Sequence, residues 1–208
     1  MLKNVIVPDR IFTVLNLLSP EECIDYITLT ENIGYTAAGL TVGRDEYMMA
    51  PDVRNNERVI LDDEKRAASL WNRIAEYVPA TIDNWTAIGL NERLRFYRYD
   101  PGQRFAPHRD GSYCRKNGDL SRLTFMIYLN DGFEGGDTRF YLRHNYLDLC
   151  DPNVVPDVFV VPTTGMALCF LHELRHEGAR VLSGRKYVLR SDIMYTFTSQ
   201  KSKARRLN

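Results

Sequence analysis

The sequence is poor in the features that would set it apart from ordinary globular chains. It has only four cysteines in 208 residues. Cys23, Cys114, Cys150 and Cys169 are widely scattered and form no CxxC pair. That excludes the usual zinc-ribbon and redox spacings and fits reduced thiols in a cytoplasmic protein. No apolar run approaches the roughly eighteen residues of a membrane span. The opening MLKNVIVPDRIF lacks the long apolar core and small-residue cleavage site of a secretory leader, so a cytoplasmic location is expected. Net charge is missing as well: 27 Lys+Arg balance 27 Asp+Glu. The strong basic field of a general nucleic-acid binder is therefore absent, and nucleic acid is not an expected partner. Neither an internal repeat nor a low-complexity linker interrupts the chain. Histidine is scarce too, so a histidine-based metal site must draw on His108, His144, His172 and His176.

What is present reads as one domain over residues 1–200. Hydrophobic residues make up 44% and charged residues 26%, and a chain of this length buries about 70% of its unfolded surface without disulfides. Residues 1–90 read as a helix-rich N-terminal part and 91–198 as a β-core. Residues 201–208 form a basic tail carrying Lys201, Lys203, Arg205 and Arg206. Val5 to Val14 has β-branched, strand-like character. Ser19-Pro20-Glu21-Glu22 is a helix start with a capping box, leading through Ile24, Ile27 and Leu29. A second helix is expected from Asp62 to Val78, where Ala67, Leu70, Trp71, Ile74 and Val78 recur at helical spacing. Residues 34–58 read as loop and irregular strand.

From about residue 91 the period becomes two. Leu94, Phe96 and Arg98 alternate with Arg95, Tyr97 and Tyr99, and the turn Asp100-Pro101-Gly102 follows. Further strands are expected at 123–129, 138–142, 158–161, 166–171 and 186–197. Short strands between Gly, Pro and Asp turns point to a β-sandwich or barrel with the two helices packed outside.

Three motifs compete for the same few residues. His108-Arg109-Asp110 spells the catalytic triplet of protein kinases, but the rest of the kinase signature set is absent. His172-Glu173-Leu174-Arg175-His176 matches HExxH, in which a helix places two imidazoles on one zinc ion and Glu serves as base. Here a strand-like run precedes it, Gly178 and Gly184 follow, and little more than two helical turns would fit. The third uses His108, Asp110 and His176. A His-x-Asp plus a distant His makes the 2-His-1-carboxylate triad, which leaves open positions on Fe(II). Residues i and i+2 of a strand share a face, so His108 and Asp110 can converge on one ion.

The stretch from about residue 92 to 197 resembles the prolyl 4-hydroxylase-type branch of the 2-oxoglutarate/Fe(II) dioxygenases. Five segments carry the resemblance in order. They are Tyr99-Asp-Pro-Gly102-Gln-Arg-Phe105-Ala-Pro-His108-Arg-Asp110, Leu123-Thr124-Phe-Met-Ile-Tyr128-Leu-Asn130, Gly135-Gly136-Asp-Thr138, Gly165 to Phe170, and His176-Glu-Gly178-Ala-Arg-Val181-Leu-Ser-Gly184-Arg-Lys186. The resemblance implies an α+β, mainly β fold: a double-stranded β-helix (jelly roll) core with N-terminal helices packed on one side. It implies Fe(II) held by His108, Asp110 and His176, with 2-oxoglutarate as cosubstrate and ascorbate as a candidate reductant.

A buried far carboxylate of the cosubstrate needs a cation. Lys186 is the matched residue, Tyr128 a hydroxyl partner and Tyr99 a weaker one. Arg190 shares the Lys186 face at period two and is a rival anchor; alternatively it pairs with Asp192 or Glu173. Thr124 and Gly136 read as structural. The implied reaction hydroxylates an unactivated C–H bond and releases succinate and CO2. The expected partners are O2, 2-oxoglutarate and a peptidyl proline, with a free amino acid or other small molecule also open. Arg54, Asn55 and Arg109 are candidate substrate contacts, and residues 143–156 a candidate lid. A zinc hydrolase on His172, Glu173 and His176, or a catalytically silent jelly-roll binding module, are the competing readings. The sequence does not address oligomeric state.

Overall fold

A computed structural model of the chain describes residues 1–41, 47–143 and 154–198. His144, Cys150, the basic tail and most of the 143–156 connection lie outside the described residues.

The strand-like character of Val5–Val14 resolves into a hairpin, Leu2–Val7 against Ile11–Leu15. The break falls at Pro8-Asp9-Arg10. Pro8 lacks an amide proton, and Asp9 takes a left-handed conformation (φ 59°) that Asp tolerates in turns.

Helix α1 spans Pro20–Ile33 and opens on the expected capping box: Ser19 and Glu22 each accept from the other's backbone amide. Gly34 ends it at φ 91°. Its apolar face is thinner than the sequence implied, since Cys23 and Thr30 are buried whereas Ile24 is 60% exposed. Helix α2 spans Glu64–Ile74, capped by Asp63, with Ala67, Leu70 and Ile74 turned inward. The expected continuation to Val78 tightens into a 3₁₀ turn, Ala75–Tyr77. Arg73 of α2 pairs with Glu22 of α1 at 2.5 Å.

The large antiparallel sheet runs in the order Leu2–Val7, Ile11–Leu15, Ala167–Leu171, Leu120–Tyr128, Lys186–Phe197, Arg93–Tyr99, Glu57–Asp62, Thr36–Ala37. Trp85–Leu90 joins it against the far half of Lys186–Phe197, a strand the sequence reading missed. A smaller sheet runs Phe105–His108, His176–Gly178, Thr138–Phe140, Val158–Val160. Together they form a jelly roll. The first 90 residues hold both helices, but they also supply strands to the large sheet, so residue 91 separates two compositions and not two layers.

Period-two alternation divides the core in two. Leu123, Phe125, Ile127, Leu189 and Ile193 face the helices. Tyr128, Val188, Tyr97 and Tyr99 face the interior between the sheets, with Met126 packed against them. Register then fixes the interior map. Lys186 stands opposite Tyr99, Val188 opposite Tyr97 and Tyr128, and Arg190 opposite Met126. A single strand thus carries a lysine and an arginine along one inner face, two pleats apart.

Candidate active site

His108 ends the short strand Phe105–His108 and pairs across the small sheet with His176. Asp110 lies just past the strand end, where its amide donates to the His172 carbonyl at 3.1 Å. The three side chains converge so that one ligand atom from each lies within 4.8 Å of the others. Nε2 of His108 is 3.5 Å from Asp110 Oδ1, and Nε2 of His176 is 3.6 Å from Asp110 Oδ2.

The remaining hydrogen bonds show that this set fits a divalent metal. Nδ1 of His108 lies 2.9 Å from the Ala106 carbonyl, and Nδ1 of His176 lies 2.9 Å from the Leu174 carbonyl. A carbonyl only accepts, so each Nδ1 carries a proton, and Nε2 is the nitrogen each ring turns toward Asp110. Burial, aided by the neighbouring His108, pushes His176 down to about 3, so its imidazole is neutral at ordinary pH. Burial alone would raise the Asp110 carboxyl, but the Arg190 guanidinium beside it holds it well below the carboxylate range. Two imidazole Nε2 atoms and one carboxylate make the donor set that non-heme Fe(II) takes.

HELRH is not a helix. It leaves the strand Ala167–Leu171 through a turn and enters His176–Gly178. Glu173 is exposed, and His172 is buried but is not part of the His108, Asp110 and His176 cluster. Among the described residues the one metal-competent cluster is His108, Asp110 and His176, so the zinc-hydrolase geometry is not formed.

His172 has a different task. Its Nε2 is 2.9 Å from Ser121 Oγ, its Nδ1 is 3.0 Å from Thr124 Oγ1, and Thr124 donates to Asp110 Oδ2. The Ser121 oxygen accepts from the Tyr113 amide at 2.8 Å. Directions follow in sequence, because Asp110 is ionised and only accepts. The Thr124 proton goes to Asp110, so Thr124 takes a proton from His172 Nδ1, and His172 Nε2 takes one from Ser121. His172 is therefore the neutral Nδ1–H tautomer, consistent with burial pushing its pKa down. The other Asp110 oxygen receives Arg190 Nη2 at 3.0 Å.

A cavity opens from the His108, Asp110 and His176 cluster into the jelly roll. Lys186 lines it and is 2% exposed. Its ammonium donates to the Gly136 carbonyl and stands 5.3 and 5.5 Å from the ring centres of Tyr99 and Tyr128. Burial, only partly offset by Asp137, lowers it to about 8. An ammonium has three N–H donors, and a single hydrogen bond leaves capacity for a carboxylate. The Tyr128 hydroxyl lies 2.7 Å from Thr138 Oγ1, and burial raises its pKa, keeping it protonated. Tyr99 is raised to about 12 by burial and likewise stays a donor. A buried cation flanked by neutral hydroxyls suits the far carboxylate of 2-oxoglutarate.

The other sequence candidates separate. Arg190 lines the cavity but is tied to Asp110 and, at 3.4 Å, to Asp192, not to Glu173. Asp192 is shared with Arg95 at 3.1 Å. Arg54 is buried, its guanidinium 4.5 Å from the ring centres of both Tyr97 and Phe105. Asn55 is exposed, and its side-chain oxygen accepts from the Arg104 amide, which makes it a loop tie. Arg109 is exposed and does not line the cavity. Sequence reasoning missed Tyr97, Thr138 and the Thr124–His172 relay. Tyr97 was within reach, because it shares the Tyr99 face at period two. The relay was not, because it joins three separate segments.

Comparison with known proteins agrees with this geometry. The pattern described as the 2OG-Fe(II) oxygenase superfamily matches residues 94–191. The chain is 27% identical over 194 residues to prolyl 4-hydroxylase 1 of Arabidopsis thaliana, covering 86% of this chain and 66% of that protein. It is 30% identical over 138 residues to the probable prolyl 4-hydroxylase 3 of the same plant, covering 63% and 45%. The chain thus spans just under two thirds of the first relative and under half of the second. The fold is shared with the viral collagen prolyl hydroxylase of Paramecium bursaria Chlorella virus-1 in its 2OG complex. The TM-score is 0.58 at 21% identity, covering 90% of this chain and 97% of that one. It is also shared with a Trichoplax adhaerens prolyl hydroxylase bound to a hypoxia-inducible-factor peptide fragment. There the TM-score is 0.64 at 16% identity, covering 97% and 89%.

Proposed function

We propose that the protein is a non-heme Fe(II)- and 2-oxoglutarate-dependent dioxygenase hydroxylating an unactivated C–H bond, in line with the match of residues 94–191 to the 2OG-Fe(II) oxygenase superfamily pattern. The observation that carries the reading is the pairing of two differently built ends of one cavity. At one end, two tautomer-locked imidazoles and an ionised carboxylate face inward. At the other is a buried ammonium with spare donors. A silent binding module has no need of either.

His108, Asp110 and His176 would hold Fe(II), and Lys186 with Tyr128, Tyr99 and Thr138 would hold the far carboxylate of 2-oxoglutarate. When bound, the metal and cosubstrate supply the oxidising power: O2 and 2-oxoglutarate give succinate, CO2 and one oxygen atom inserted into the substrate C–H bond. The chain's own residues orient and shield. The Ala106 and Leu174 carbonyls aim the imidazoles, Thr124 and Arg190 fix the two oxygens of Asp110, and Phe105, Phe170 and Val188 keep the cavity apolar. The proposed substrate is a prolyl residue or another amino-acid unit, in line with the two plant relatives. A single domain in the cytoplasm completes the proposal: Cys23 and Cys169 are buried free thiols, and no helix among the described residues is long and apolar enough to cross a membrane.

The test is an anaerobic titration of metal-free protein with Fe(II) and then 2-oxoglutarate. A visible charge-transfer band that is lost in His176→Ala supports the reading. Proline-containing peptides are then offered with O2, and mass spectrometry looks for one added oxygen atom alongside succinate. Tight Zn(II) binding with no band on Fe(II) would overturn the dioxygenase assignment.

A further inference from the structure

Lys186 is not the only cation at this cavity: Arg190 lines it, and Arg54 lies directly behind two of its lining residues, against the Tyr97 and Phe105 rings. We propose that Arg54, Tyr97 and Arg190 form a second carboxylate-binding site, and that the carboxylate it takes belongs to the substrate. The inference rests on the dioxygenase reading above and narrows its substrate to a molecule carrying a free carboxylate close to the C–H bond attacked.

Charge accounting comes first. Arg190 is matched by Asp110 and Asp192, but Asp192 is shared with Arg95, and Asp110 is also the carboxylate that a divalent metal would claim. Arg54 forms no ion pair among the described residues. Its Nε donates to the neutral amide oxygen of Asn56 at 2.8 Å, and its guanidinium rests on the rings of Tyr97 and Phe105. A buried cation without an anion is costly, and Arg54 is only 5% exposed.

Orphaned donors come second. Arg54 Nη2 and Arg190 Nε are buried with no hydrogen-bond partner. Folded proteins leave few such groups unpaired. Two of them on guanidiniums that both act on one phenol mark a place prepared for an acceptor. Guanidinium forks match carboxylates in shape as well as charge.

The phenol reports the local field. Tyr97 lines the cavity and is fully buried, which by itself would raise it. Arg54, Arg190 and Arg95 outweigh the burial and bring it down to about 8. That surplus of positive potential stands apart from Lys186, which sits opposite Tyr99, one pleat along the same strand pair.

Position selects the source of the carboxylate. Phe105 is sandwiched between Arg54 and His108, its ring 3.6 Å from the His108 ring. A ligand gripped by Arg54 therefore lies one aromatic ring away from a metal ligand. The cosubstrate's far carboxylate already has Lys186. The amide-linked backbone in the interior of a peptide offers no anion here. A free amino acid, or the carboxyl-terminal residue of a peptide, does.

The experiment compares N-acetyl-L-proline with N-acetyl-L-prolinamide, which differ only in replacing the carboxylate by an amide. Each is titrated anaerobically into protein loaded with Fe(II) and 2-oxoglutarate, followed by calorimetry and by the charge-transfer band. The acid should bind at least about tenfold tighter than the amide. Arg54→Gln should abolish that preference without changing 2-oxoglutarate affinity, and Arg54→Lys should retain part of it. Equal affinity of acid and amide for the unaltered protein, or no binding of either, overturns the proposal. That comparison needs no variant, so it stands even where Arg54→Gln does not fold. If Arg54→Gln weakens 2-oxoglutarate binding and leaves the acid preference intact, the carboxylate is the cosubstrate's, and the substrate assignment falls. Absence of the band before either probe is added is the separate failure of the dioxygenase reading.

Discussion

Thr124→Val tests whether the relay behind Asp110 matters to metal binding. Thr124 is 1% exposed, and valine nearly preserves its volume, so packing changes little while the hydroxyl disappears. Asp110 Oδ2 loses its donor, and His172 Nδ1 loses its acceptor. Arg190 still holds Oδ1 at 3.0 Å. A hydrogen bond to a charged group contributes roughly 1.5–3 kcal/mol, and each 1.4 kcal/mol is about tenfold in affinity. Groups that orient metal ligands through one intervening hydrogen bond are worth about 10–100-fold in metal affinity. Thr124→Val should therefore weaken binding of Mn(II), a redox-quiet stand-in for Fe(II), by about that factor in calorimetric titration. Stranding the His172 N–H should also cost roughly 1–3 kcal/mol of stability. The His172 imidazole reaches Asp110 only through Thr124, and the backbone bond from the Asp110 amide to the His172 carbonyl survives the substitution, so adding His172→Ala to Thr124→Val should weaken metal binding little further. An unchanged Mn(II) affinity in Thr124→Val, or fully additive losses in the double variant, would refute the relay.

Removing the buried cation by Lys186→Ala should weaken 2-oxoglutarate binding by roughly 30-fold or more, since truncating one partner of a buried charged pair costs about 2–5 kcal/mol; unchanged affinity would move the role to Arg190. The free Lys186 ammonium is lowered to about 8, so its charged form is complete below that pH and is lost as pH rises through it. KM for 2-oxoglutarate should accordingly climb above pH 8, by up to about tenfold per unit, and Lys186→Arg should flatten the rise because a guanidinium stays charged. An identical alkaline limb in both proteins would exclude Lys186 as its source. Gly165 sits at φ +76°, and a Cβ there would meet the Leu18 carbonyl oxygen at 2.1 Å. Gly165→Ala should therefore lower Tm by at least about 5 °C, from strain of a few kcal/mol, and a Tm within error of the unaltered protein would show that the turn relaxes freely.

Local signals were enough for much of this architecture. The α1 start was legible because a capping box is satisfied within four residues, and the inner and outer faces of Arg93–Tyr99 because alternation is a property of the strand itself. The cluster of His108, Asp110 and His176 was legible through resemblance and spacing together: His108 and Asp110 lie two residues apart, and His176 begins a patterned run ending at Lys186. HELRH was decided only in three dimensions. Its residues are compatible with a zinc helix, and strand pairing on both sides leaves the helix no room. Ile24 misled because helical spacing names a face without saying what covers it. The partners of Arg190 were out of reach as well. Asp110 meets it across eighty residues, and the register of Lys186–Phe197 against its neighbours determines which carboxylate a guanidinium finds. Sequence by itself determined which side chains could do chemistry here. Tertiary structure decided which of them face one another, because pairing register and burial are set by contacts between segments that no local pattern encodes.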